Sequence, residues 1–291
     1  MDIKGVCYDT GRAYGPGFVT RRVFDPAVTR RELQIIRDDL HCNAVRFQGT
    51  DIARLMTAAT DALKLGGLQV WLSPELFKKS REATVAYLAK AAAAAEPLRE
   101  KFPGQLVFCV GTESVMFEVV DWSLFDYVGI DHYRNSKIEH RYAERIAPYL
   151  GQGKPVINTE FGHSSYQGNR PGHMEFGEVD LVSLALSRMP LAGRLVRPRV
   201  KKGTHVRDEE HQARELTKTL GILDAEGVDG AFVWTFADPW LTHTADPRHD
   251  LDMTATSLVK TYARGHGTTY PDLPWEPKQA FGAVAGFYAA H

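Results

Sequence analysis

PVINTEFGHSSY, residues 155–166, begins with an apolar run typical of a buried β-strand and places Glu160 where that run ends. Six further runs in the chain have the same character. They are IKGVCYD (3–9), NAVRF (43–47), LQVWLS (68–73), QLVFCVG (105–111), YVGIDHY (127–133) and GAFVWTF (230–236). A buried strand followed at once by a polar side chain is the pattern from which we predict both the fold and the site.

Helical patterns separate the first strands. Asp25 is a predicted N-cap ahead of Pro26, and a second helix is predicted to begin near Asp51. An Ala-rich third helix, over about residues 80–102, contains Pro97, which predicts a kink or an early end. Alternation of buried strands with helices indicates parallel strands, because parallel neighbours need long crossovers and bury both faces of the sheet.

At this length the pattern predicts an α/β fold of the TIM-barrel type, with residues 1–291 forming a single (β/α)8 barrel domain. A doubly wound sheet is the alternative, but neither GxGxxG nor a P-loop follows the first strand. Only about a dozen residues separate Glu113 from Tyr127, so we expect the fifth βα unit to be missing or distorted. Residues 162–207 form a long insertion after the strand that ends at Glu160, which would be strand seven of a complete barrel. We predict this insertion to be a structured lid or a subunit contact in an oligomer.

The composition of the chain limits the kinds of binding partner that we expect. A formal net charge of -1 gives no electrostatic reason to expect nucleic acid or an anionic membrane. The first residues lack the apolar stretch of a signal peptide and no run has membrane-spanning length, which predicts a cytoplasmic protein. The three cysteines lie in or beside apolar segments, as reduced, packed thiols do, and no CxxC pattern predicts zinc.

In such a barrel the chemistry lies at the carboxyl ends of the strands. The polar and aromatic residues there are Asp9, Arg46, Glu75, Glu113, Asp131, His132, Tyr133, Glu160 and Trp234, with Trp240 just beyond the last strand. Any one of these carboxylates can simply cap a helix or pair with an arginine. Two glutamates facing each other, however, have the geometry of glycoside hydrolysis, in which one carboxyl protonates the leaving oxygen and the other attacks the sugar carbon.

Four segments, VGTE (110–113), FDYVGIDHY (125–133), NTE (158–160) and the last-strand Trp234, resemble the retaining (β/α)8 glycoside hydrolases with glutamates on strands four and seven. The resemblance implies that Glu113 is the acid/base, that Glu160 is the nucleophile and that no cofactor is used. It also implies that Tyr133 bonds the nucleophile, that Arg46 is the strand-two arginine and that Trp234 is the floor of a sugar subsite. We predict the remaining strand-end residues to bind substrate; these are Asp9, Glu75, Asp131, His132 and Trp240.

A narrower resemblance covers VDWSLFD (120–126), DHYR (131–134) and DPRHDLDM (246–253). These segments are similar to uncharacterised bacterial proteins labelled abortive infection proteins. That label implies a role in phage defence and identifies no substrate.

The sequence therefore predicts a retaining glycosidase that cleaves O-glycosyl bonds in an unidentified glycoside. The alternative is a barrel without turnover, acting as a glycan-binding or phage-defence-associated interaction protein. The short 113–127 connection and Thr112, which stands where the resembled group usually has Asn, favour that alternative. HTADPRHDLDM (243–253) is a weaker candidate for a metal site, because its spacing fits neither an EF-hand nor HExxH, and we predict no metal.

Overall fold

The computed structural model describes residues 1–15, 17–110, 121–135, 137–169, 178–189, 191–201 and 205–291. Seven strands form its main sheet: β1 Ile3–Gly11, β2 Ala44–Gly49, β3 Gln69–Pro74, β4 Leu106–Phe108, β5 Val128–Asp131, β6 Val156–Phe161 and β7 Gly230–Val233. Their order across the sheet is β4-β3-β2-β1-β7-β6-β5, and each neighbouring pair is parallel. The seven predicted strands and the α/β class are confirmed.

The described α-helices are α1 Pro26–Asp38, α2 Ile52–Leu65, α3 Arg81–Lys101, α4 Ala147–Leu150, α5 Leu181–Ser187, α6 Glu209–Ala225 and α7 Gln279–Ala290. Side chains of α1, α2, α3, α6 and α7 lie in the core on the outer face of the sheet, whereas α5 lies in the 162–207 insertion and packs with Trp240. The Asp25 side chain accepts from the Ala27 amide, and Asp51 accepts from the amides of Ala53 and Arg54. Both predicted N-caps therefore satisfy amides that have no partner within the helix.

Pro97 was expected either to kink its helix or to end it early, and the second expectation is wrong. Helix α3 continues through Pro97 to Lys101. A proline removes the hydrogen bond to the carbonyl four residues before it, here that of Ala93. Both Ala93 and Pro97 are exposed, so water can solvate that carbonyl and the cost of the missing bond is small.

The sheet is strongly curled. Trp71 on β3 and Tyr127 just before β5 are five strand spacings apart in the sheet order, a separation of roughly 24 Å in a flat sheet. Their ring centroids are nevertheless 4.9 Å apart, and the Trp71 ring also lies 5.2 Å from that of Phe232 on β7. These side chains meet inside the curve, so the seven described strands form a curled, barrel-like sheet with an apolar interior.

Two apolar layers hold this shape. The larger core lies between the sheet and its helices and includes Val45, Phe47, Leu55 and Leu220. The inner layer includes Cys7, Trp71, Ile157 and Phe232, whose side chains point away from the helices because alternate residues of a strand face opposite sides. Both faces of the sheet are thus buried, which explains the nearly continuous apolar strand sequences.

Within the described residues, β4 and β5 are the two edges of the sheet. This is the place at which the sequence predicted a missing or distorted fifth βα unit. Residues 111–120, which connect the two edges, lie outside the described residues.

The insertion at 162–207 is tied to the segment that follows β7. Its backbone forms isolated bridges between Tyr166 and Arg207 and between Val179 and Val200. The Arg207 guanidinium donates to Asp250 at 2.8 Å and to Asp252 at 2.9 Å. These charged contacts attach the end of the insertion beside the barrel.

Candidate active site

The carboxyl ends of the strands bring charged side chains into the interior above the inner apolar layer. Arg46 and Gln48 are two residues apart on β2 and therefore point to the same side of the sheet. Glu160 lies near the end of β6, three strands away in the sheet order. The curl of the sheet brings all three side chains together.

Glu160 is the centre of this cluster. Its Oε1 atom accepts from Arg46 Nη1 at 2.8 Å and from Gln48 Nε2 at 2.7 Å. Its Oε2 atom accepts from the Tyr133 hydroxyl at 3.4 Å. The Glu160 side chain is 9% exposed, so these donors replace most of the water that an exposed carboxylate would bind.

Gln48 also joins Glu160 to a second carboxyl group. The same Nε2 atom donates to Glu75 Oε1 at 2.9 Å, and both Gln48 and Glu75 are buried. Sharing one nitrogen keeps the two Oε1 atoms of Glu75 and Glu160 no more than about 5.6 Å apart, given its 2.9 and 2.7 Å bonds. Like charges at this distance disfavour joint ionisation.

These surroundings shift the pKa values of both glutamates. Burial raises the pKa of Glu160 to about 8, negative Asp131 and Glu75 add to the rise, and Arg46 and Arg12 oppose it. Burial also raises the pKa of Glu75, against the opposing effects of Arg12, Arg46 and the Gln48 hydrogen bond. The hydrogen bonds that Arg46 and Gln48 donate favour the ionised form of Glu160 and so act against the effect of burial.

Asp131 completes the charge arrangement around Arg46. One of its oxygens lies 3.9 Å from Arg46 Nη1 and accepts a short hydrogen bond from the Thr159 hydroxyl. Arg46 also donates to the Thr159 carbonyl at 2.9 Å and to Ser73 Oγ at 3.1 Å. This guanidinium therefore links β2, β3, β5 and β6 at one point.

The Arg12 side chain lies between Asp9 and Trp234 and contacts both. The Arg12 guanidinium is centred 4.1 Å over the Trp234 ring, and its Nε atom is 3.9 Å from Asp9 Oδ1. Trp234 is 6% exposed and is followed by a cis peptide bond to Thr235. One face of the predicted sugar platform is thus covered by a cation.

Two predicted substrate-binding residues, His132 and Trp240, have described ring contacts with other parts of the protein. The His132 ring stacks on Tyr142, with centroids 4.3 Å apart, and its Nε2 atom lies 3.2 Å from the Tyr142 carbonyl oxygen. Trp240 packs with the apolar residues of the insertion and edge-on against Phe18. Both rings therefore pack against residues other than the Glu160 donors.

Glu113 and Thr112 lie outside the described residues, so their predicted roles stay predictions. The described cluster contains Asp9, Arg46, Glu75, Asp131, Tyr133, Glu160 and Trp234 from the predicted set.

Sequence reasoning missed Gln48 and Arg12. Gln48 has a signal in the sequence, because it follows Arg46 by two positions and must share its face of the strand. Arg12 follows β1 directly, but its fold over Trp234 depends on a residue more than 200 positions away. No local pattern predicts that contact.

Side chains of the polar segment 243–253 form an ionic cluster with Arg207. His243 Nδ1 lies 3.0 Å from Asp250, and Arg207 donates to both Asp250 and Asp252. Within the described ranges, no group of three His, Cys, Asp or Glu side chains is arranged to hold a metal ion. In that same part of the chain, none of the helices combines the length and apolar character needed to cross a membrane.

Solved structures with a similar fold cover nearly the whole chain. A GH113 β-1,4-mannanase matches with a TM-score of 0.54 and 13% identity, over 100% of this chain and 99% of that chain. A complex of a GH113 β-1,4-mannanase matches with a TM-score of 0.53 and 13% identity, over 99% of each chain. This chain has the fold of TIM-barrel glycoside hydrolases.

A third similar structure is the GH113 β-mannanase AaManA from Alicyclobacillus acidocaldarius in complex with ManMIm. It matches with a TM-score of 0.52 and 15% identity, over 99% of this chain and 97% of that chain. No protein-family profile and no curated protein sequence matches the chain. The predicted likeness to glycoside hydrolases is therefore confirmed at the level of the fold.

Proposed function

We propose that the protein is a retaining glycoside hydrolase with Glu160 as its nucleophile. The observation that carries this proposal is the set of donors around Glu160: Arg46 and Gln48 on one oxygen and Tyr133 on the other. They hold the carboxyl group in one orientation at the carboxyl end of a barrel strand, where the chemistry of this fold takes place. The shared fold with the GH113 β-mannanases supports the same reading.

In this mechanism a Glu160 oxygen attacks the anomeric carbon while the glycosidic carbon–oxygen bond breaks. The leaving oxygen takes a proton from the acid/base, a role that the sequence resemblance assigns to Glu113. Water then attacks the glycosyl-enzyme ester and gives a proton back to the acid/base, so that one water molecule is consumed. Arg46 and Gln48 hold Glu160 in place before the attack and stabilise its charge after it leaves the ester.

The test is covalent trapping of the nucleophile. The protein is incubated with 2-deoxy-2-fluoro glycosides carrying a dinitrophenyl leaving group, beginning with the β-mannoside because the similar structures are β-mannanases. We expect the intact mass to increase by one fluoroglycosyl group, located on the peptide that contains Glu160. Glu160→Gln should not be labelled, whereas Glu96→Gln, which removes a surface carboxylate paired with Arg99, should be labelled normally.

Labelling of another carboxyl group would remove Glu160 from the nucleophile position. Hydrolysis of aryl glycosides by Glu160→Gln at the wild-type rate would contradict the mechanism itself. The same assays on Glu113→Gln test the acid/base assignment, since loss of a general acid slows poor leaving groups far more than dinitrophenolate.

A second candidate function is glycan binding without turnover. It is favoured by Arg12, whose guanidinium covers the face of Trp234 on which a sugar would stack. Saturable binding of an oligosaccharide, with no product after prolonged incubation and no trapped intermediate, would support it. A phage-defence role for such a protein would appear as a plating difference between cells that carry the wild type and cells that lack it.

We also propose that the 162–207 insertion forms a contact between subunits. Leu191 and Leu195, near its apolar helix α5, are 80% and 89% exposed. We expect light scattering to show an oligomer that a Leu191→Ser, Leu195→Ser double variant shifts toward the monomer. A wild type that stays monomeric at high concentration would exclude this contact.

A further inference from the structure

Three neighbouring strands place acceptor groups side by side in the barrel mouth. Asp9 on β1 is the register partner of Gln48 on β2. Glu75 directly follows β3, and its amide donates to the Gly49 carbonyl at the end of β2. Asp9 and Gln48 are fully buried and Glu75 is 4% exposed, so these three side chains form one buried row.

Each residue of this row already makes hydrogen bonds with part of its polar side-chain group. Asp9 Oδ1 accepts from the Gly11 amide, and Glu75 Oε1 accepts from Gln48. The Gln48 amide nitrogen is used by Glu75 and Glu160. The other oxygens, Asp9 Oδ2, Gln48 Oε1 and Glu75 Oε2, are buried and have no hydrogen-bond partner among the described residues.

These three oxygens can only accept hydrogen bonds while the carboxyl groups are ionised. Leaving buried acceptors without donors is costly, and such groups in folded proteins usually have a partner. The row faces the interior, because the Gln48 amide reaches across it to Glu160 on β6. A ligand in the mouth would therefore present hydrogen-bond donors to this row.

The charge of the mouth favours a cationic donor. Among the described residues, its carboxyl groups are Asp9, Glu75, Asp131, Glu160 and Asp238, and its guanidinium groups are Arg12 and Arg46. Nearby Arg21 is offset by Glu32, 3.5 Å away. Carboxyl groups outnumber guanidinium groups in this part of the chain, and burial together with neighbouring Asp131 and Glu75 raises the pKa of Glu160.

A sugar hydroxyl would donate to the row but would leave the charge excess as it is. A uronic acid would add to the excess. A protonated amine supplies up to three donors and a positive charge, so of these three groups it is the one that matches both the unpartnered oxygens and the excess of carboxyl groups.

We propose that the row of Asp9, Gln48 and Glu75 binds an ammonium group of the substrate, so that the glycoside is built from unacetylated amino sugars. This inference rests on the proposed function, since it names the substrate class of the same site. Acetylation would remove the charge and leave a single N–H donor, so an acetamido sugar should not replace the free amine.

Titration calorimetry on the full chain tests this with oligosaccharides matched in size. Chitosan tetrasaccharide, cellotetraose and chitotetraose share the β-1,4-glucosyl backbone and carry an ammonium, a hydroxyl and an acetamide at C2; mannotetraose represents the similar structures. We expect the chitosan tetrasaccharide to bind at least about tenfold more tightly than cellotetraose, as hydrogen bonds to a buried charge allow. Glu75→Gln should abolish that preference, and Glu96→Gln on the surface should keep it.

The outcomes separate this inference from the proposed function. Equal or tighter binding of a neutral tetrasaccharide, or a preference that persists in a folded Glu75→Gln variant, would overturn the ammonium site and leave the glycosidase proposal standing. Failure of all four sugars to bind would also overturn the ammonium site, whereas the glycosidase proposal is decided separately by the trapping of Glu160. Asp9→Asn is the second variant if Glu75→Gln does not fold, and the comparison of the four sugars on the wild type is decisive without either.

Discussion

Arg46 Nη1 on β2 lies 2.8 Å from Glu160 Oε1 on β6, across the interior of a sheet in which the two strands are not neighbours. Both side chains are more than nine-tenths buried. A charged contact of this kind is strongly destabilised when one partner is removed, because the other charge stays buried without compensation. The contact therefore joins the stability of the barrel to the chemistry of its mouth.

Replacing Arg46 by Met should destabilise the protein by about 3–5 kcal/mol at pH 8, where Glu160 and Asp131 would be left without their cation. The loss should be smaller at pH 5, since a protonated Glu160 needs no counter-charge. Urea unfolding at both pH values measures this difference. The double variant Arg46→Met, Glu160→Gln should recover part of the lost unfolding free energy. An equal loss at both pH values, in the single and in the double variant, would show that only packing is affected.

The pH dependence of stability should differ between the wild type and Glu160→Gln. The folded state raises the pKa of Glu160 from an ordinary value of 4.5 to about 8, so between those values the folded protein binds more protons than the unfolded chain. The stabilisation from this group is complete below about pH 4.5 and is lost as the pH rises through 8, by at most about 1.4 kcal/mol per pH unit.

Glu160→Gln cannot titrate and should lack this decline, so its stability relative to the wild type should increase from pH 5 to pH 9. Denaturant unfolding across that range, on both proteins in the same buffers, gives the comparison. Parallel curves would mean that Glu160 has the same pKa in the folded and unfolded states.

Gln48 should act as a positioning residue for Glu160. Gln48→Met removes a hydrogen bond that favours the ionised carboxylate, so the pKa of Glu160 should rise further and the acidic limb of the kcat/KM profile should move to higher pH. We expect a loss of about 10- to 100-fold in kcat/KM at pH 7, with a smaller loss at pH 9. Gln48→Glu, which keeps the size but donates no amide hydrogen, should be at least as damaging; a uniform loss at all pH values would contradict this role.

The contact between Trp71 and Tyr127 should hold the curl of the sheet. Trp71→Ala removes a side chain that is 2% exposed and touches residues on both sides of the barrel, so we expect a loss of about 3–5 kcal/mol in unfolding free energy. Trp122→Ala, which removes a partly buried ring near the edge strand β5, is the matched control and should cost less. Equal losses in the two variants would show that the interior stack has no special role.

The sequence alone identified the seven strands and the N-caps at Asp25 and Asp51, because both depend on neighbours in the chain: the period of apolar residues and a side chain that reaches an amide two positions on. The expectation of a missing or distorted fifth βα unit, drawn from the dozen residues between Glu113 and Tyr127, stays a prediction because residues 111–120 lie outside the described residues.

The chain by itself thus determined which segments are strands and which polar residues stand at their ends, since these are local properties of the backbone and its apolar pattern. Only the tertiary structure decided that Gln48 holds Glu160 and Glu75 together, that Arg12 covers Trp234, and that His132 and Trp240 take packing positions. The physical reason is that the curl of the sheet sets distances between residues 27 to more than 200 positions apart, and no periodicity along the sequence encodes those distances.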